Sequence, residues 1–141
     1  MRFMMLMYPG AKAETGAMPD EKLIAAMMKY NEDLTKAGVL LALDGLHPSS
    51  KGARVKYAGG KATVIDGPFS ESKELIGGYW MIQVKSKEEA VEWAKRVPAQ
   101  DGEMVELRQV FEMADFGPDI AEQEGKLVKD IEAGLARNNQ K

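Results

Sequence analysis

The sequence contains no cysteine and only one histidine among its 141 residues. Without cysteine, the chain can form no disulfide, no thiolate nucleophile and no cysteine-ligated zinc or iron–sulfur site. A single histidine also excludes a cluster of histidine metal ligands within one chain. No apolar run approaches the roughly 20 residues that a membrane-spanning helix needs. From these absences we expect no metal site, no membrane span and a cytoplasmic location.

An excess of basic residues is also absent. The formal net charge is -3 and the pI is about 5.3, whereas a nucleic-acid surface needs clustered lysine and arginine. The glycine-rich phosphate loops and the G-x-S-x-G nucleophile turn are missing as well. We therefore expect no nucleic-acid partner and no bound cofactor.

The residues that are present alternate between strand and helix patterns. Strands are predicted over 3–8, 39–44, 54–58, 61–66, 75–85 and 104–111, and Gly59-Gly60 predicts a two-residue hairpin turn. One helix is predicted from Pro19 to Gly38, and a second follows a capping box at 86–89. The first helix carries an apolar stripe: Leu23, Met27, Tyr30 and Leu34, widened by Ile24 and Met28.

This order predicts an α+β fold of the ferredoxin-like type, βαβ-hairpin-βαβ, with an antiparallel sheet and both helices on one face. The first strand, 3–8, is apolar on both of its faces, so its second face also needs a cover. The simplest cover is a second copy of the chain, packed sheet to sheet as a homodimer. Composition shifts after residue 114, and residues 115–141 are predicted to form a helical extension to a domain over 1–114.

The segment Asp66-Gly-Pro-Phe-Ser-Glu-Ser-Lys-Glu74 lies between two predicted strands. It resembles the signature of the DGPF branch of the YCII-related proteins. Two further segments are similar to elements of that family: Gly45-Leu-His-Pro48, and the spacing of Gly102, Glu106 and Arg108. The resemblance implies a dimeric α+β barrel.

Glu106 and Arg108 stand two residues apart in the last strand and therefore share one face. They could form the wall of a site that binds a small anionic ligand, or a structural ion pair at the strand end or dimer interface. Glu71 and Lys73 are weaker candidates for the same ligand site. Lys73 could instead close an ion pair with Asp66 or Glu106, or the segment could be a solvated turn.

His47 and Asp66 are the candidate catalytic residues. The pKa of a histidine suits proton transfer near neutrality, and the broader family has been proposed to use a His and Asp pair. The alternatives are a solvent-facing loop histidine and an aspartate that caps its own turn. Tyr79, Trp80 and the ten methionines are interpreted as core or dimer packing, with a flat cofactor site as the alternative.

Two functions fit these residues, and the sequence leaves open whether the chain is an enzyme. The first is a cofactor-independent lyase or isomerase for a small molecule, with His47 and Asp66 moving protons and Arg108 holding an anionic substrate. The alternative is a ligand-binding or accessory module without chemistry. The resemblance connects that alternative with transcription regulation.

Overall fold

The computed structural model describes all residues from 1 to 141, in two compact units, Met1–Val110 and Phe111–Lys141. The strands are β1 (Arg2–Tyr8), β2 (Leu40–Gly45), β3 (Ala53–Ala58), β4 (Lys61–Asp66), β5 (Gly78–Gln83) and β6 (Met104–Gln109). The helices are α1 (Ala11–Glu14), α2 (Glu21–Lys36), α3 (Lys87–Lys95) and α4 (Pro118–Asn139). Short 3-10 turns occupy Ser49–Lys51, Ser72–Glu74 and Met113–Phe116.

Four strands form one antiparallel sheet in the order β2-β5-β1-β6, while β3 and β4 pair only with each other. Each βαβ unit is split, because β5 lies between β1 and β2, and β1 lies between β5 and β6. This is the ferredoxin-like arrangement, so the predicted fold class is confirmed.

The core lies between one face of this sheet and the helices α2 and α3. Met5, Leu34 and Ile82 are fully buried there. The Tyr30 hydroxyl donates to the Trp93 carbonyl at 2.7 Å, and the Tyr30 ring meets the Trp80 ring edge to face at 5.6 Å. The buried tyrosine therefore satisfies its polar end while it joins α2, α3 and β5.

Helix α2 begins later and buries a narrower stripe than the sequence predicts. Asp20 is the N-cap and accepts from the Leu23 backbone N–H at 2.8 Å, so Pro19 lies before the helix. Ile24 is 37% exposed and Met28 is 63% exposed. The prediction that these two residues widen the buried stripe is wrong, because the helix contacts the sheet through Tyr30 and Leu34 instead.

Glycines fix two local shapes in this unit. Gly59 and Gly60 have φ values of 57° and 77°, which are the positive angles that the predicted hairpin turn requires. A Cβ on Gly77 would lie 2.5 Å from the Pro9 ring, and one on Gly78 would lie 2.9 Å from the Asp44 carbonyl oxygen. Gly77 thus allows close contact with a proline side chain and Gly78 with a neighbouring backbone, and β5 begins only at Gly78.

The second unit contains Phe111, Phe116 and α4. The two phenylalanine rings lie 5.0 Å apart, and Phe111 is 70% exposed. The last strand, predicted over 104–111, ends at Gln109, so the prediction that it includes Phe111 is wrong. The apolar residues of α4 are largely exposed, and none of the helices combines the length and apolar character needed to cross a membrane.

Candidate functional site

The sheet has a second face, opposite α2 and α3, which we call the far face. Register places Met4, Leu6 and Met81 on it, and each of them is half-buried. Glu106 pairs with Leu6 and Arg108 pairs with Met4, so both charged side chains belong to the far face, as the alternation of the last strand predicts. The far face therefore carries a few polar groups on an apolar wall.

Two polar pairs stand on the far face. The Tyr79 hydroxyl donates to Asp44 Oδ2 at 2.7 Å, across the β5–β2 pairing. Arg108 donates to Glu106 Oε2 at 3.3 Å. Tyr79 and Glu106 are both register partners of Leu6, so two strand spacings, about 10 Å, separate their backbones. A small molecule lying across β1 could contact both pairs.

The electrostatics of the two pairs differ. The hydrogen bond to Asp44 is the main cause that raises the pKa of Tyr79, and partial desolvation is the second cause. Tyr79 therefore keeps its proton at neutral pH and acts as a hydrogen-bond donor. The Arg108 side chain is 73% exposed, and an exposed ion pair of this kind is worth only about 0–1 kcal/mol. A ligand carboxylate could thus replace Glu106 beside Arg108 at little cost.

The loop that carries the D-G-P-F motif is fixed by Ser49. The Phe69 backbone N–H donates to Ser49 Oγ at 2.9 Å, and Gly67 N–H donates to the Gly52 carbonyl at 3.0 Å. The peptide bond between Gly67 and Pro68 is cis. These contacts join the loop after β4 to the loop after β2.

Glu14 in α1 completes this arrangement. Its carboxylate accepts from the Ser49 backbone N–H at 2.9 Å and also from the Ser49 hydroxyl. Both hydrogen bonds lower the pKa of Glu14, and the bond from the Ser49 hydroxyl has the larger effect. A four-residue helix is thereby attached to the D-G-P-F loop through one serine.

The lowered pKa of Glu14 predicts a pH dependence. A carboxyl group with a depressed folded-state pKa contributes stability above its unfolded pKa, and that contribution disappears as the pH falls through the folded value. Its ordinary value is 4.5. We expect the wild type to be more stable than Glu14→Gln at about pH 7, with a smaller difference at about pH 3. Urea unfolding at both pH values measures this stability difference. The control is Glu122→Gln, which removes a carboxylate from α4. A difference that does not change with pH would contradict this assignment.

The predicted catalytic residues lie in two neighbouring loops. His47 is exposed in the loop after β2, and Asp66 is exposed as the last residue of β4. No hydrogen bond or ion pair joins them within the chain, and their acid–base role stays a prediction. Glu71 and Lys73 are exposed in the turn that follows, and the ion pair considered for Lys73 is not formed.

A cavity of about 440 Å³ opens at the end of the sheet where β1 finishes and β6 begins. Its walls include Pro9, Lys12, Met18, Leu23, Asp101 and Glu103. His47, Asp66 and Arg108 do not line it.

The model of the YCII-related domain matches residues 1–114. The chain belongs to the YCII-related family. This confirms the family that the Asp66–Glu74 segment indicates. The described site groups of this YCII-related chain, from Glu14 to Arg108, all lie within the matched range.

Two further proteins are similar to this YCII-related chain. An uncharacterised protein of Rhizobium meliloti (strain 1021) is 30% identical over 76 residues, which is 54% of this chain and 61% of the relative. The solved structure of 5-chloro-2-hydroxyhydroquinone dehydrochlorinase from Burkholderia phenoliruptrix AC1100, in complex with 2,5-dihydroxybenzoquinone, covers 84% of this chain and all of that chain at 12% identity. Its TM-score is 0.40.

Sequence reasoning on this YCII-related chain misses Glu14, Ser49, Asp44 and the hydroxyl of Tyr79. The first two lie 35 residues apart, as do the last two, and no local pattern connects such positions. Register is the only signal that could have found Asp44 and Tyr79. Once β2 is placed beside β5, an aspartate and a tyrosine become cross-strand neighbours.

Proposed function

We propose that the chain is an acid–base enzyme of the lyase or isomerase type, which acts on a small anionic molecule without a bound cofactor. The observation that carries this proposal is the hydrogen bond of 2.7 Å between Tyr79 and Asp44 on the same sheet face as Arg108. Asp44 is an acceptor for a proton from carbon, and Tyr79 is a donor for an oxygen that gains charge. This pairing of one acceptor with one donor is what proton-transfer catalysis requires.

Arg108 supplies the anion site in this proposal. Its guanidinium can bind a carboxylate through two parallel hydrogen bonds. Met4, Leu6 and Met81 supply the apolar wall beside it. His47 follows Asp44 by three residues, so it is the candidate for exchanging protons between the site and solvent.

A single chain leaves the far face uncovered by α2 and α3, so we propose that a second copy covers it, sheet to sheet. A closed site gains from this arrangement, because expelling water strengthens the hydrogen bonds and charges within it. Light scattering that returns a particle of twice 15.5 kDa would support the homodimer.

The anion site is tested with benzoate, which combines a carboxylate with an apolar ring. We expect benzoate to raise the melting temperature of the wild type, because a ligand that binds the folded state stabilises it. Arg108→Ala should lose this increase. Arg137→Ala, which removes an arginine from α4, is the matched control and should keep it. An equal increase in all three proteins would contradict a role for Arg108.

One observation favours the alternative, a ligand-binding module without chemistry. Within one chain, His47, Asp66 and Arg108 are all exposed and do not line a common cavity. The two functions are separated by following carbon-bound hydrogen exchange of 2-oxoglutarate in D₂O by NMR. Exchange that is accelerated by the wild type and lost in Asp44→Asn supports the enzyme, whereas binding without exchange supports the module.

A further inference from the structure

The hairpin of β3 and β4 has one apolar and one basic face. Register places Val55 opposite Val64 and Tyr57 opposite Ala62 on the first face, and Ala53 and Asp66 complete it at the base. We call these six residues the arm face. The opposite face carries three basic side chains, Arg54, Lys56 and Lys61. Ala58, Thr63 and Ile65 lie on the same face.

The arm face is open to solvent. Val55 is 47% exposed, Val64 is 65% exposed and Tyr57 is 80% exposed. The hairpin forms a sheet of its own and does not join the four-stranded sheet. An isolated two-stranded hairpin is only marginally stable in water. The exposed apolar side chains of the arm face therefore need another protein surface to cover them.

The D-G-P-F loop determines which hairpin face stays free. The Arg54 guanidinium lies 3.9 Å above the centre of the Phe69 ring, and Phe69 is held by Ser49. Arg54 belongs to the basic face, so the loop occupies the base of that face. The arm face is left unoccupied, with Asp66 at its base.

Area favours a second copy as the cover. Strands lie about 4.8 Å apart and rise about 3.3 Å per residue, so four strands of six residues present a flat area of about 400 Å². Two such faces together give about 800 Å², below the roughly 1,200–2,000 Å² that stable interfaces bury. The arm faces of two hairpins, each about 20 Å long, would supply much of the buried area that the sheets alone lack.

Charge favours the same occupant. The three basic residues of the hairpin lie on the face opposite the arm face, so Asp66 is the one charged residue of the arm face. The far face carries Arg108 together with Asp44 and Glu106. Asp66 and Arg108 carry opposite charges, and a complementary pair of this kind helps to fix the register of two chains.

We propose that the β3–β4 hairpin is an arm that packs the arm face onto the far face of a second copy and brings Asp66 to that copy's Asp44, Tyr79 and Arg108. The inference rests on the proposed function, since it adds a carboxylate to the same site from a second chain. Arg108 is the cation in that site with which Asp66 can pair. Each site is then incomplete without its neighbour, which accounts for the exposure of Asp66 within one chain.

Val64→Lys and Thr63→Lys test the arm, because adjacent residues of β4 lie on opposite hairpin faces. We expect Val64→Lys to weaken the dimer roughly thirtyfold or more, as loss of a central apolar contact does. Thr63→Lys should leave the dimer intact. Light scattering across a dilution series measures both. Two intact dimers, or two dissociated ones, would overturn the arm. If circular dichroism shows that Val64→Lys is unfolded, Tyr57→Ser takes its place.

The absence of cysteine allows a second, positional test. A Val64→Cys chain and a Met81→Cys chain are mixed, refolded together and treated with a bismaleimide of about 10 Å span, a distance of two strand spacings. We expect a covalent heterodimer, and far less of it when Thr63→Cys replaces Val64→Cys. If the wild type is a dimer but the two cysteine variants give no such product, the arm is overturned and the proposed site on the far face stands. A monomeric wild type overturns the arm and the proposed dimer together, while benzoate binding tests Arg108 separately.

Discussion

Replacing Gly67 with alanine should destabilise the first unit by about 2–3 kcal/mol, in the range of overpacking changes. An alanine Cβ at this position would lie 1.8 Å from the Ser49 carbonyl oxygen and 2.6 Å from the carbonyl carbon. Both are backbone atoms, so no side chain can rotate away. The two loops must separate, which breaks the hydrogen bond from Phe69 to Ser49. Urea unfolding followed by circular dichroism measures the loss.

Gly52→Ala is the matched control for this change. Its Cβ would lie 3.5 Å from the same Ser49 oxygen, an ordinary contact. Gly52 has an extended backbone with φ of -114°, which alanine adopts without strain. We expect a change within about 0.5 kcal/mol, as for most substitutions outside special positions. If both variants lose the same stability, the contact of Gly67 with Ser49 is not what requires glycine.

Leu34→Ala should cost about 2–5 kcal/mol, since truncating a buried leucine removes its transfer free energy and leaves a cavity. Leu34 is 0% exposed in the last turn of α2, among the core side chains. The substitution keeps the helix intact, because alanine has the highest helix propensity. Urea unfolding gives the free-energy difference.

Met28→Ala on the same helix separates packing from helix propensity. Met28 is 63% exposed, so its truncation should change stability by less than about 1 kcal/mol. The sequence pattern treats Met28 and Leu34 as members of one apolar stripe, whereas the structure separates them. Comparable losses in the two variants would show that Met28 is buried in solution and would favour an interface on this side of α2.

Much of the fold can be predicted from local signals. Period-two and helical patterns give the order of strands and helices, Gly59-Gly60 gives the hairpin turn, and Ser86 gives the start of α3, where its side chain accepts from Glu89 N–H at 3.1 Å. These signals are local, because each depends on a few consecutive residues. The strand face of Glu106 and Arg108 follows from the same alternation.

The rest depends on contacts between distant residues. The short helix α1 occupies a segment that reads as a small-residue loop, and its Glu14 contacts the loop at Ser49. The buried stripe of α2 is narrower than predicted because the helix contacts the core through Tyr30 and Leu34, which leaves Ile24 and Met28 exposed. Tyr79 reads as packing, and only the register of β5 against β2 gives its hydroxyl a partner. Composition and spacing contain none of this information.

The position of β1 in the middle of the sheet has a consequence for how the chain folds. Strand β1 pairs with β5 and β6, which come more than seventy residues later along the chain. Pairings across such long separations slow folding, because the entropy of closing the loop is lost before the contacts form. During synthesis, both edges of β1 stay unpaired until these late strands emerge, and an unpaired apolar edge is prone to aggregate. Truncation before Met104 would leave the same strand edge open permanently.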